Sequence, residues 1–217
     1  ILFAAPPDRD LEWSDQGVEG CYRFLNRVWR LVAQYHSALA ENTRTDMSED
    51  LDAEARKMRF RTHSTIQKVT NDIAARFNFN TAISAIMELV NALYLYKEKD
   101  NVNQAVAREG VETVLKLLAP FAPHITEELW SELGHKESIH KQAWPEVDQS
   151  ALVQEEITII LQVNGKLRDK IQVPVDISGE ELEKLVLSSE KVKVYLEGKT
   201  VVKVIKVPQK LVNIVVK

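Results

Sequence analysis

A single cysteine in 217 residues leaves no partner for an internal disulfide, and no cysteines or histidines fall at the spacing of a zinc site. Cys21 therefore reads as a small apolar residue, and the chain as one without structural metal. Nowhere do about 18 uncharged apolar residues run together, as a membrane span requires. The opening stretch Ile1 to Ala5 lacks the length and the basic flank of a secretory signal. A soluble, cytoplasmic, monomeric protein with no membrane partner is the expectation. Positive charge is not in excess either: 28 Lys+Arg stand against 32 Asp+Glu, a net charge of -4, which argues against gripping nucleic acid by bulk charge. Catalytic patterns are missing too. His36, His63, His124, His135 and His140 include no i, i+4 pair with an intervening base, and no serine nucleophile motif occurs.

What is present is enough apolar sequence, 45%, for a buried core of one large or two small domains. The charge is unevenly spread. Residues 1–150 hold 17 Lys+Arg against 23 Asp+Glu, whereas 151–217 hold 11 against 9, so the tail is the better anion binder.

Up to about residue 134 the apolar spacing is helical. Val18, Cys21, Tyr22, Leu25, Val28, Trp29, Val32, Tyr35 and Leu39 form the apolar face of a first helix, opened by Ser14 or Asp15 as acceptor for its free N–H groups. Asp46 with Glu49 predicts a capping box for a second helix carrying Leu51, Ala55, Met58, Ile66, Val69, Ile73 and Phe77, with an interruption near Thr62 to Ser64. Asn80 is expected to cap a third helix and Asn103 a fourth, the latter stopping at Ala119-Pro120-Phe121-Ala122-Pro123 because proline lacks the N–H and clashes with the preceding turn. A fifth opens at Pro123, where His124 helps fix the start, and ends at Gly134. These elements predict an antiparallel helix bundle with its connector over residues 1–150.

Residues 151–217 read as a small α+β domain of order β-β-α-α-β-β, so the fold class expected is multi-domain, α plus α+β. Ile157 to Val163 and Leu167 to Val173 flank Asn164-Gly165. Ser178 with Glu181 caps one helix, Glu190 to Leu196 makes another, and Thr200 to Val207 and Leu211 to Val216 are strands. Side-chain parity disfavours a two-residue hairpin loop, which would set Leu161 and Ile159 opposite Arg168 and Lys170. A three-residue loop of Val163, Asn164 and Gly165 pairs Leu161 with Leu167 and Ile157 with Ile171, and sends Lys166, Arg168 and Lys170 out from one face.

Several stretches resemble one known family. Phe3-Ala4-Ala5-Pro6-Pro7 with Leu11-Glu12-Trp13, then Gly17-Val18-Glu19-Gly20 and Arg23-Phe24-Leu25-Asn26-Arg27-Val28-Trp29, resemble the segment after the Lys-Met-Ser-Lys-Ser loop in bacterial leucyl-tRNA synthetases. Phe79-Asn80-Thr81-Ala82-Ile83 and Leu118 to Trp130 are similar to the helical anticodon-binding domain shared by the leucyl, isoleucyl, valyl and methionyl enzymes. Gln162-Val163-Asn164-Gly165-Lys166-Leu167-Arg168, Leu196-Glu197-Gly198-Lys199 and Lys210-Leu211-Val212-Asn213-Ile214-Val215 resemble the compact C-terminal domain of the leucyl enzyme, which separates it from the valyl and isoleucyl relatives. The resemblance implies a region that positions leucine tRNA beside a catalytic domain in the same full-length chain. It implies ATP and Mg for that domain and none for this region, since the His-Ile-Gly-His and Lys-Met-Ser-Lys-Ser elements are absent.

The resemblance also places the C-terminal domain at the outer corner of the tRNA, which turns Lys166, Arg168 and Lys170 from ordinary exposed cations into candidate phosphate contacts. Lys191, Lys193, Lys199, Lys203, Lys206 and Lys210 are further candidates on the same module. In the bundle, Arg23, Arg27 and Arg30 lie at i, i+4 and i+7 in one stripe, and Arg56, Lys57, Arg59 and Arg61 crowd the second helix; Glu19, four residues before Arg23, suits an ordinary surface ion pair. Helical spacing assigns Trp29 and Trp130 to the core, and Trp13 and Trp144 to packed positions pinning proline-containing connectors.

Overall fold

The computed structural model describes residues 2–5, 13–41, 51–153, 156–175, 177–208 and 210–217, without the side chains of 37–41, 76 and 156. It divides into two compact units, Ile1–Val153 and Gln154–Lys217, and is mostly helical with a small mixed four-stranded sheet. No described helix is long and apolar enough to cross a membrane.

The first unit holds α1 (Asp15–Glu41), α2 (Ala53–Arg76), α3 (Phe79–Lys97), α4 (Gln104–Leu118) and α5 (Pro123–Glu132), then 3-10 turns at Ile139–Lys141 and Gln149–Leu152. Local chemistry sets the ends. Ser14 Oγ accepts from the Gly17 N–H at 3.2 Å, and the Asn103 side chain accepts from Val106. Pro123 stands in the first turn of α5, and Gly134 takes φ 88° beyond its end. Two expected starts are displaced. Asp52, accepting from Ala55, caps α2, while Asp46 and Glu49 lie outside the described residues; Asn78 is the N-cap of α3, which puts Asn80 inside its first turn.

Nor is α2 broken near Thr62. Thr62 and His63 are buried within a continuous helix because α4 comes close at Gly110. A Cβ on Gly110 would stand 2.8 Å from Leu93 Cδ2 and 3.5 Å from Thr62 Oγ1, so any larger residue there would have to displace the Leu93 side chain. The bundle core gathers Val28, Leu31, Ile66, Ile86, Leu89, Leu93, Leu115 and Leu129.

The second unit holds β1 (Glu156–Val163), β2 (Lys166–Pro174), α6 (Gly179–Ser188), α7 (Glu190–Leu196), β3 (Val201–Val207) and β4 (Leu211–Val216). The strands lie in the order β2-β1-β4-β3, β1 and β4 being parallel and the other pairs antiparallel. Ile159, Leu161, Val163, Val173, Val212, Ile214 and Val216 form one face and pack with Val186 of α6 and Val192 of α7. Ser178 and Glu181 complete the reciprocal capping box of α6.

The hairpin does not take the three-residue loop. Val163 pairs with Lys166 across a two-residue turn in which Asn164 (φ 49°) and Gly165 (φ 77°) both have positive φ, the requirement of a type I′ turn. Parity is restored by an irregularity instead: Gln162 pairs with Leu167 but Leu161 with Asp169, leaving Arg168 as the extra residue of a β-bulge. Ile159 then faces Ile171 and Ile157 faces Val173, so the apolar sets match after all.

Candidate nucleic-acid interface

The bulge redistributes the three hairpin cations. Lys170 pairs with Ile160 on the side of the sheet away from the helices, Lys166 stands at the turn opposite Val163, and Arg168 bends to the helix side, its guanidinium 3.8 Å from the centre of the Tyr195 ring of α7. They do not share a face. Asp169, opposite Leu161, belongs to the helix side as well, where it accepts from Ser189 at 3.2 Å and from Lys191 at 3.1 Å. The Lys191 bond, then a backbone N–H, holds the Asp169 carboxyl below its usual value.

The other candidates sort into engaged and open groups. Lys206 donates to the Gly179 carbonyl at 2.8 Å and pairs with Glu183 of α6, so it helps hold β3 to that helix. Lys166, Lys170, Lys193, Lys199, Lys203 and Lys210 are exposed, and among the described residues their side chains enter no ion pair. In the bundle, Arg23 is paired with Glu19 at 2.9 Å and Arg30 donates to the Asn26 carbonyl at 3.4 Å. Arg27 is different: it donates to Asn91 at 2.6 Å and lies over the Tyr94 ring, tying α1 to α3.

The buried face of helix α1 overlaps the expected one at Val28, Val32 and Tyr35, with Leu25 packed against the core, but is rotated from it. Phe24, Val28, Leu31, Val32 and Tyr35 point into the core, whereas Val18, Tyr22 and Trp29 are 49%, 68% and 44% exposed. Phe24 and Leu31 are buried although the expected face leaves them out. The exposed side carries Tyr22, Arg23, Asn26, Trp29 and Arg30 together. Leu39 lies outside the described side chains. Trp13 is exposed rather than packed and donates to Asp15, while Trp130 is buried as expected and Trp144 fastens the connector by donating to Thr70 Oγ1 at 2.8 Å.

On α2, Arg59 is similarly spent. It donates to both oxygens of Glu109 on α4 and to Asp148 in the connector at 2.7 Å. His63 Nε2 is 3.0 Å from Glu109, and its Nδ1 accepts from the Asp148 N–H at 3.1 Å, which assigns the proton to Nε2. Bonds from the Ser150 side chain and then from Arg59 hold the Asp148 carboxyl well below the usual carboxylate range.

Residues 55–185 match the family model described as "Anticodon-binding domain of tRNA ligase". The chain belongs to this family. The match takes in α2 to α5, the connector, the β1–β2 hairpin and most of α6. Over 216 residues the chain is 54% identical to a leucine–tRNA ligase of a Geobacter species and 53% identical to that of Citrifermentans bemidjiense, covering 99% of itself and 26% of each relative. It is similar, with a TM-score of 0.79 and 31% identity, to LeuRS in the ternary LeuRS–tRNA–LeuAMS complex of Agrobacterium radiobacter, covering all of itself and 28% of that chain. It thus spans about a quarter of the length of these relatives. For an anticodon-binding family member, an exposed surface free of internal pairing is the place to look for RNA, and the open lysines of the sheet unit meet that condition.

Proposed function

We propose that this chain is the tRNA-holding region of a leucine–tRNA ligase, positioning leucine tRNA for aminoacylation carried out elsewhere in the full-length protein. The observation that carries this reading is the likeness, over the whole chain, to a LeuRS whose structure includes tRNA. Residues 1–150 are read as the antiparallel anticodon-binding-type bundle with its connector, bracing the tRNA stem. Residues 151–217 are read as the β-β-α-α-β-β module that meets the outer corner of the tRNA. Open lysines supply the contact by displacing counterions from phosphates, led by Lys166 and Lys170, with Lys193, Lys199, Lys203 and Lys210 around them. Arg168, Lys191 and Lys206 shape the module before they touch RNA. Arg23 and Arg30 are the bundle's RNA candidates; Arg27 serves the α1–α3 contact.

ATP and Mg2+ belong to the activation of leucine. Among the described residues no group of three or more His, Cys, Asp or Glu could hold a metal ion. The exposed Val18, Tyr22 and Trp29 support a second contact, with the catalytic domain that the relatives' remaining length accommodates, since Trp, Tyr and Arg are the side chains that anchor interfaces. A cytoplasmic monomer suits this role.

Binding of leucine, valine and isoleucine tRNAs measured side by side across ionic strengths tests the reading. Leucine tRNA should bind tightest and weaken severalfold or more between low and physiological salt, as about three to five phosphate contacts require. Salt-insensitive self-association without any tRNA shift would instead make the chain a scaffold, and preference for valine or isoleucine tRNA would move it to a sister enzyme.

A further inference from the structure

Asn164-Gly165 is the only asparagine–glycine step in the sequence. In an open chain such a step reacts with itself. The glycine backbone nitrogen attacks the asparagine Cγ, a Cγ–N bond forms, the Cγ–Nδ2 bond breaks and ammonia leaves. Water then opens the resulting succinimide at either carbonyl, giving aspartate or isoaspartate. Glycine favours the reaction because it has no Cβ to crowd the attacking nitrogen or to restrict the backbone. Both residues of the turn are exposed, so water reaches them and burial gives no protection.

What holds the step is hydrogen bonding to β4. The attacking nitrogen is engaged: the Gly165 N–H donates to Asn213 Oδ1 at 3.0 Å. The carboxamide under attack is engaged at both ends, its Nδ2 donating to the Val216 carbonyl at 3.2 Å and its Oδ1 accepting from the Val216 N–H at 3.0 Å. The Asn164 N–H donates to the Ile214 carbonyl at 2.9 Å, so backbone and side chain together continue the parallel ladder that pairs Ile160 to Val163 with Leu211 to Ile214. Cyclisation requires the carboxamide to swing away from Val216 and the Gly165 nitrogen to give up its proton. Neither can happen while β4 stays beside the turn.

We infer that Asn164 is a latent deamidation site held shut by β4, with Asn213 as the positioning residue that occupies the attacking nitrogen, and that it reacts when the β1–β4 junction opens. Cyclisation is slow beside local opening, so its rate follows the population of the open form. The change runs one way. The new carboxylate has no N–H for the Val216 carbonyl, and isoaspartate lengthens the backbone within the turn, so a sheet that has opened and reacted closes less well. The covalent state of Asn164 therefore records how often the sheet has been open. This inference is independent of the tRNA-holding reading.

The test incubates the full chain at mildly alkaline pH, folded and in urea, and follows deamidation of the peptide carrying Asn164 by mass spectrometry. The folded chain should react more slowly than the chain in urea by about tenfold or more, since the open form is then a minor one. Asn213→Ala should speed the folded reaction about fivefold, the effect of one lost hydrogen bond on the opening equilibrium, with circular dichroism unchanged. Asn213→Asp keeps an acceptor for the Gly165 N–H and should stay near the unaltered rate. Val212→Ala, which loosens the buried face of β4 without touching the turn, should also speed the reaction. A folded chain that reacts as fast as the chain in urea, or a Val212→Ala variant no faster than the unaltered chain, would overturn the gating by β4. An Asn213→Asp rate equal to that of Asn213→Ala would overturn the role given to Asn213.

Discussion

In the bundle, arginines turn to their neighbours: Arg27 to Asn91 and Tyr94, Arg59 to Glu109 and Asp148, Arg108 to Glu112, which also meets His135. In the sheet unit, six exposed candidate lysines have no partner in an ion pair among the described residues. The two units therefore use positive charge for different ends. A planar guanidinium can be satisfied by carboxylates on adjacent helices and then contributes to packing, whereas a lysine on a flexible stem at a sheet margin keeps its ammonium in water, available to a polyanion. Counting charges along the chain does not reveal which of them are available.

The sharpest way to break this comparison is to load the bundle where it is tightest. Gly110→Val should lower the bundle's unfolding free energy by about 2–3 kcal/mol, because the added carbons meet Leu93 and Thr62 in a filled core. Urea denaturation followed by tryptophan fluorescence reads this directly, and an unchanged midpoint would mean the helices can draw apart at no cost. Next, Arg59→Met should cost roughly 2 kcal/mol, below the ~3–5 kcal/mol typical of a fully buried broken pair, because Arg59 and Glu109 keep some contact with water. Its affinity for tRNA at a temperature where the chain is folded should be unaltered; a loss there would show that the arginine is not spent inside the bundle.

Smaller effects sharpen the contrast within the sheet unit. Arg168→Ala removes the guanidinium from Tyr195 and should destabilise that unit by about 1 kcal/mol, with Arg168→Lys between the two, measurable by amide exchange in β2. Lys170→Ala should leave exchange unaltered. Smallest of all is the pH response of the connector. The folded Asp148 carboxyl titrates lower than the unfolded one, so its stabilisation is complete above the ordinary aspartate value near 4 and drains away as pH falls below that value. Asp148→Asn should accordingly be less stable than the unaltered chain at pH 6 and indistinguishable from it in strong acid.

Features decided by neighbours in the chain were legible in the sequence. Asn103 and the Ser178–Glu181 box announce their helices because the capping bonds run between residues three apart. Features decided across space were not. The apolar residues of α1 cover more of its surface than the strip it buries, and which part of them is covered depends on α3, α4 and α5, none of which the α1 pattern contains. The hairpin argument from parity was sound for regular strands, and failed because one residue, Arg168, is absorbed by a bulge. Thr62 and His63 resembled a helix break only because the glycine and carboxylate that accommodate them, Gly110 and Glu109, stand nearly fifty residues downstream on α4. Of the candidate interface, the lysines were readable as residue types, but which of them are engaged, as Lys191 is by Asp169 and Lys206 by Glu183, is a property of the folded neighbours.

That strand order has a temporal consequence. The two strands synthesised first, β1 and β2, make a hairpin whose inner edge stays bare until β4, some fifty residues later, slots in beside β1 with Ile160 against Leu211. A lone hairpin is marginal in water, and distant pairings are slow to form. The sheet thus closes around its latest arrival, so a ribosome-bound chain lacking β4 should present an unzipped strand to its surroundings and acquire a durable sheet only once that segment has emerged.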